Sequence, residues 1–181
     1  MRDIMKLAVR LMIFALAAAL LLAVVNELTE DKIAENTLNK INAARRNVIG
    51  DYVFEDTGAD ISEQKYIKGV YAAWDGAALV GYVYEMESAG YGGTVYLSAG
   101  ILADGTVSGV EVSSHSETKG LGTEAGERFL SEFNGLTAGS EGGADVDAMT
   151  GATVSSNAVI RAVDEAMAHF TANYGGEGAH K

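Results

Sequence analysis

Apolar residues fill the chain without a charged or strongly polar break from Leu11 to Val25, and then thin into a helical rhythm. Counted from Ile4, the run has the length of a membrane-spanning helix, for which about 20 predominantly apolar residues are needed. Lys6 and Arg10 near its start are long side chains whose charged ends can reach the headgroups. Beyond the run, Leu28, Ala34, Leu38, Ile41, Ala44 and Val48 recur among polar residues as on one helix face. This rhythm predicts a stalk helix over 27–48 that continues from the apolar segment. An acidic, turn-rich connector is expected from Gly50 to Glu63.

From Tyr66 to Ser113 the period shortens to that of strands. Val70, Ala72 and Trp74 alternate with other residues, and Leu79–Met86, Thr94–Ile101 and Val107–Val112 are rich in β-branched and aromatic side chains. Asp75-Gly76 and Asp104-Gly105 separate these runs, and Asp-Gly between apolar runs signals a hairpin because Gly tolerates positive φ. A short helix is expected after Thr123 with Phe129, Leu130 and Phe133 turned inward. The stretch from Gly135 to Asp145 is a Gly-rich acidic loop. A last helix is predicted from about Ser156 to Tyr174, its apolar face marked by Val159, Val163, Met167 and Phe170. The pattern gives an α+β fold: an antiparallel sheet with helices beside it. Four segments follow, an anchor over 1–26, a stalk and connector over 27–63, a domain over 64–174 and a tail over 175–181.

Composition sharpens this picture where charge is concerned. The formal net charge is −12. Arg2, Lys6 and Arg10 precede the apolar run with only Asp3 against them, so all the excess acidity lies beyond it. The positive-inside rule then keeps the N-terminus cytoplasmic and sends the acidic domain across the membrane. A cleaved signal peptide would give the same direction of export. However, the small-residue site Ala17-Ala18-Ala19 is followed by Leu20-Leu21-Leu22, which favours an uncleaved anchor. So acidic a domain repels phosphate backbones, which argues against nucleic-acid binding. The chain has no cysteine, so thiolate chemistry, disulfides and iron–sulfur ligation are excluded. It has no proline either, leaving its turns to Gly, Asn, Asp and Ser.

The stretch Asp147-Ala148-Met149-Thr150-Gly151-Ala152-Thr153 carries the strongest chemical signal. It reads as a Gly-containing loop that brings a hydroxyl to the start of a helix. Backbone N–H groups there lack partners and the helix dipole favours an anion, so a phosphate near Thr153 would be stabilised. Ser155 and Ser156 can cap the helix or donate to phosphate oxygens. On the residues alone, a simple capped helix start is the more ordinary interpretation, since Ser and Thr dominate such caps. A second stretch, Gly90-Tyr91-Gly92-Gly93 before a strand and then His115-Ser116-Glu117-Thr118-Lys119-Gly120-Leu121-Gly122, allows close backbone approach at its glycines. Glu117 and Thr118 are placed there to bond a polar ring edge, or else to face solvent in an ordinary turn.

The Asp-x-x-Thr-Gly-Ala-Thr pattern resembles the flavinylation motif of the FMN-binding domain family. That family includes the G subunit of the Rnf electron-transport complex and the C subunit of sodium-pumping NADH:quinone reductase. The resemblance implies that Thr153 carries FMN through a phosphoester bond, making the chain a phosphoprotein and a covalent flavoprotein. It implies that Thr150, Gly151, Ala152 and Ser156 help to hold the cofactor, and that Glu117, Thr118, Leu121 and Gly122 lie near the isoalloxazine ring. Lys119 stands where the family's loop has Pro. The stretches Val25-Asn26-Glu27-Leu28-Thr29 and Lys32-Ile33-Ala34-Glu35-Asn36 look most like the Rnf G subunit. The implied role is a redox subunit of a translocase between ferredoxin and NAD, not an independent enzyme. Its implied partners are the other membrane subunits and, during maturation, a flavin transferase that uses FAD and leaves AMP.

Two other roles fit the pattern: a stand-alone extracytoplasmic flavoprotein, and a non-redox binding or sensor domain in which Thr153 only starts a helix. Gly120-Leu121-Gly122-Thr123-Glu124-Ala125 spells a dinucleotide fingerprint, but the hairpin signals imply antiparallel pairing where that fingerprint needs a parallel βαβ unit. His115, His169 and His180 show no metal-ligand spacing. No nucleophile-elbow pattern accompanies them, so a hydrolase triad is not indicated.

Overall fold

The computed structural model of the chain describes residues 2–114, 124–139 and 146–175. The chain divides into two compact units, Met1–Lys40 and Ile41–Lys181. One helix, α1, spans Arg2–Ile49. In the first unit, Val9–Glu30 is the one helical segment among the described residues long and apolar enough to cross a membrane, with mean hydropathy 2.4. Phe14, Leu20, Leu21 and Leu22 are all exposed there. A continuous apolar surface of this kind marks contact with lipid or protein outside the chain.

The second unit holds five strands: β1 (Val53–Asp56), β2 (Ile67–Asp75), β3 (Ala78–Ala89), β4 (Thr94–Leu102) and β5 (Val107–Ser114). They form one sheet in the order β1-β2-β3-β4-β5, every pair antiparallel. The α+β architecture read from the sequence is therefore present. Both Asp-Gly hairpins are present too, with Gly76 at φ +60° and Gly105 at φ +89°. In the second of these, Asp104 Oδ1 accepts from the Thr106 N–H at 2.9 Å.

Strand alternation sorts the side chains onto two faces. Tyr82, Tyr84 and Met86 of β3 pair with Ile101, Ala99 and Leu97 of β4 and build the main core. Helix α3 (Thr153–Asn173) covers that face with Val159, Val163, Met167 and Phe170. Helix α2 (Glu124–Ser131) adds Phe129, whose ring meets Phe133 edge-on at 5.4 Å. The opposite face carries Ala73 and Val83, both fully buried, together with Ala44 and Val48 from the last turns of α1. Gly100 and Gly109 are register partners on β4 and β5. Their lack of side chains lets the backbone of Val48 approach the sheet: a Cβ on Gly100 would stand 2.5 Å from the Val48 carbonyl oxygen. Ser108 Oγ donates to that same oxygen at 2.6 Å.

Three boundaries differ from the sequence reading. The segment read as a connector contains β1, a short edge strand that exists because β2 offers it free backbone groups, with Val53 opposite Trp74. Strand β3 runs on to Ala89 through Glu87 and Ser88, polar residues that hide its end. Helix α3 starts at Thr153, three residues before the expected Ser156.

Candidate functional site

Val146 is buried, and Ala148 and Met149 pack against the core, so apolar contacts anchor the loop that leads into α3. Gly151 turns the chain with φ +82°, a left-handed conformation that suits glycine. The turn closes when the Ala152 N–H donates to the Met149 carbonyl at 3.1 Å. Ser156, with no exposed surface, braces it from beneath. Its hydroxyl accepts from the Met149 N–H at 3.1 Å and donates to the Ala152 carbonyl at 3.0 Å. Thr150 and Gly151 stand exposed at the tip, with open space where a Gly151 side chain would point.

Thr153 is the first residue of α3 and is exposed. The helix begins without the usual compensation. Its N-cap residue is Ala152, no side chain caps it, and the first turn contains no acidic residue. The first helical bond from this end is donated by the Ser156 N–H to Ala152 at 2.9 Å. The N–H groups of Thr153, Val154 and Ser155 precede that bond, at the positive end of a 21-residue helix. Ser155 and Ser156 are both buried; Ser156 serves as a loop brace, a role the sequence pattern did not disclose.

Strand register brings the other glycine-rich loop to this end of the sheet. Ala89 pairs with Thr94 across the β3–β4 turn, and Tyr96 beside it pairs with Ser114 at the end of β5. Arg161 in the first half of α3 shares a groove with Ala89 and Thr94, whereas Phe170 near its end meets Gly105 at the far turn. The start of α3, the Gly90–Gly93 turn and the exit of β5 are thus all at one end. In the turn, the Gly90 N–H donates to the Gly93 carbonyl at 2.8 Å, and Tyr91 is 84% exposed. Glu117, Thr118, Leu121 and Gly122 lie outside the described residues, as do His115 and Lys119.

The titratable interior lies under the later half of α3. Tyr84 Oη and His169 Nδ1 are 3.2 Å apart in the core. Burial holds the Tyr84 hydroxyl above the usual phenol range, with Tyr174 and Tyr82 adding to the effect. Burial pushes His169 below its ordinary value, while a hydrogen bond to the Asp60 backbone and the charge of Glu165 oppose the shift. Among the described residues, no cluster of His, Asp or Glu is placed to hold a metal ion.

A sheet end where an exposed threonine opens an uncapped helix has the chemistry of a phosphate seat, and the residues present suit the phosphate of FMN. Residues 90–168 match the FMN-binding domain family, which sets the class. Residues 1–48 match the RnfG N-terminal region. The G subunit of the ion-translocating oxidoreductase complex of Methanosarcina acetivorans is 32% identical, over 96% of this chain and 98% of its own length. The chain belongs to the family of G subunits of ion-translocating oxidoreductase complexes. The G subunit of the proton-translocating ferredoxin:NAD(+) oxidoreductase complex of Clostridium ljungdahlii is 36% identical over 61% of this chain and 64% of its own. Its counterpart in the Na(+)-translocating complex of Acetobacterium woodii is 28% identical over 90% and 89%.

Proposed function

We propose that this chain is the FMN-carrying, electron-transferring subunit of a membrane-bound, ion-translocating complex of the Rnf type, with FMN held by a phosphoester at Thr153. The observation that carries this reading is the start of α3: an exposed Thr153 hydroxyl beside N–H groups that neither a cap nor an acidic side chain satisfies. Natural helices usually fill that position with Ser, Thr, Asp or Asn. Here Ala152 occupies it, which leaves the positive end to an incoming anion.

Each neighbouring residue then has a task. Gly151 sets the turn, Ala152 keeps the helix mouth unobstructed, and Thr150 offers a second exposed hydroxyl beside it. Ser156 holds the loop rigid through its two hydrogen bonds. Glu117, Thr118, Leu121 and Gly122 are assigned to the isoalloxazine side, since β5 delivers the chain to this end of the sheet. When bound, flavin can accept an electron pair and release electrons singly, which suits a relay between carriers of different type. A flavin transferase would supply the FMN moiety of FAD: the Thr153 oxygen forms the phosphoester bond as the pyrophosphate bond of FAD breaks, and AMP leaves with the hydroxyl proton released. Val9–Glu30 anchors the chain in the membrane, with the basic N-terminus cytoplasmic and the flavin domain outside. Its partners are the other subunits of such a complex.

Intact mass of the full chain, produced with a flavin transferase, tests the attachment. The expected result is an increment of one FMN residue that is absent from Thr153→Val, while the variant keeps its unfolding transition. Retention of acid-stable flavin by Thr153→Val overturns the assignment. Membership of a complex is checked separately: affinity purification from native membranes is expected to bring down several polytopic subunits, and recovery of the chain alone refutes it.

A further inference from the structure

Between the start of β2, the end of β3 and α3, the described residues line an open groove of about 450 Å³. That volume lies within the range of small-molecule clefts, roughly 300–1,000 Å³. Lys65 just before β2, Lys68 on β2 and Arg161 on α3 all line it, with Glu87 as the one carboxylate among the described lining residues. Three basic residues lining one groove run against the character of a chain whose net charge is −12. None of the three is in an ion pair with another described residue. Lys65 rests instead over the Tyr66 ring, 5.0 Å from its centroid.

The groove also contains an unmet polar group. Ser88 lines it, is 3% exposed, and its hydroxyl oxygen finds no hydrogen-bond partner among the described residues. Leaving a buried hydroxyl unpaired is unfavourable, and the neighbouring Val95, its register partner on β4, offers no side-chain relief. Thr94 adds a further exposed hydroxyl to the lining. A guanidinium fork, two ammonium groups and two hydroxyls offer a donor set suited to phosphate oxygens.

We propose that this groove binds a small phosphate-bearing anion, at a site distinct from the helix mouth at Thr153. The surplus of positive charge over Glu87 matches a doubly charged phosphate group. Arg161 lies two turns along α3 from Thr153, roughly 12 Å at the usual rise per residue. An anion here would also set the electrostatic environment of the same sheet end. The site does not depend on the phosphoester being present.

Isothermal titration calorimetry on the full chain in nanodiscs of neutral lipid tests this, with inorganic phosphate, pyrophosphate and ADP as probes. Saturable one-to-one binding of at least one probe is expected for the unsubstituted chain and equally for Thr153→Val. Tighter binding of ADP than of pyrophosphate assigns the natural ligand to the nucleotides, and the reverse order assigns it to free phosphates. Arg161→Ala and Lys68→Ala should each weaken binding about tenfold, the effect of losing one charge-assisted hydrogen bond. Lys40→Ala should leave it unchanged. Ser88→Ala should keep or raise the ligand-free unfolding temperature while reducing the anion-dependent increase, a combination that a merely structural serine would not give. Absence of saturable binding at millimolar probe overturns the proposal. So does binding that Thr153→Val abolishes and an Arg161→Ala, Lys68→Ala double variant retains.

Discussion

Arg45 makes two contacts at once on the α1-covered face of the sheet. Its Nη2 lies 2.6 Å from Glu85 Oε1, and its guanidinium carbon sits 3.7 Å from the centre of the Tyr71 ring. The two charged side chains are only 14% and 21% exposed. Removing one partner would leave the other largely buried and uncompensated, which is the costly way to break an ion pair. Arg45→Met is therefore expected to lower stability by about 3 kcal/mol in urea unfolding, near the low end for a buried pair. His169 gives a pH-dependent counterpart. Because the fold lowers its proton affinity, the unfolded chain binds a proton at higher pH than the folded one. The stability this neutral imidazole contributes is complete above its ordinary value of 6.5 and is lost as pH falls from there toward the lowered folded value. Urea midpoints measured across that interval should decline, and His169→Gln should flatten the decline.

At the scale of elements, α1 and the sheet meet backbone to backbone. Gly100→Ala would drive a methyl group against the Val48 carbonyl and Ser108 Oγ, each 2.5 Å away. Overpacking of this kind costs roughly 1–3 kcal/mol, and the loss should appear as a lowered denaturation midpoint. Gly151→Ala meets no neighbour, yet it forces an L-residue to φ +82°. It should cost about 1 kcal/mol and, by tilting the helix mouth, slow flavin loading in a time course of mass increments. Legibility in the sequence follows the range of the interaction concerned. Asp75-Gly76 and Asp104-Gly105 announced their hairpins because turn chemistry is local. The threonine at the helix start was legible because its motif is seven contiguous residues. Strand β1 was not, since Val53-Phe54-Glu55-Asp56 is a strand only beside β2. The cover that α1 lays over Gly100 and Gly109 was equally hidden, because a glycine does not name the neighbour it admits. Lys65, Lys68, Ser88 and Arg161 lie far apart in the chain, so only the fold brings them to one groove.

At the scale of the molecule, the compact unit begins at Ile41, inside α1. A chain starting there keeps Ala44, Arg45 and Val48 on the sheet and is expected to be soluble and to unfold cooperatively. One starting at Asp51 lacks all three. It uncovers Ala73 and Val83 and should melt at a distinctly lower temperature, since full burial of a valine alone contributes about 1.5–3 kcal/mol. Differential scanning calorimetry on the two truncations distinguishes these outcomes. The same unit joins each strand to its successor in sequence and contains no proline. Refolding in stopped flow should therefore lack the phase of tens of seconds that prolyl isomerisation produces.

Helix α3 is the last element of this meander and supplies the lid of its main core. While the chain is being synthesised, the strands emerge first, with one oily side still bare. The threonine at the head of that helix takes its place only when the strands beneath it have emerged and the lid has settled on them. Any enzyme that reads its folded shape must therefore wait for that docking, so the proposed modification would mark domains whose lid is closed and leave open ones unlabelled.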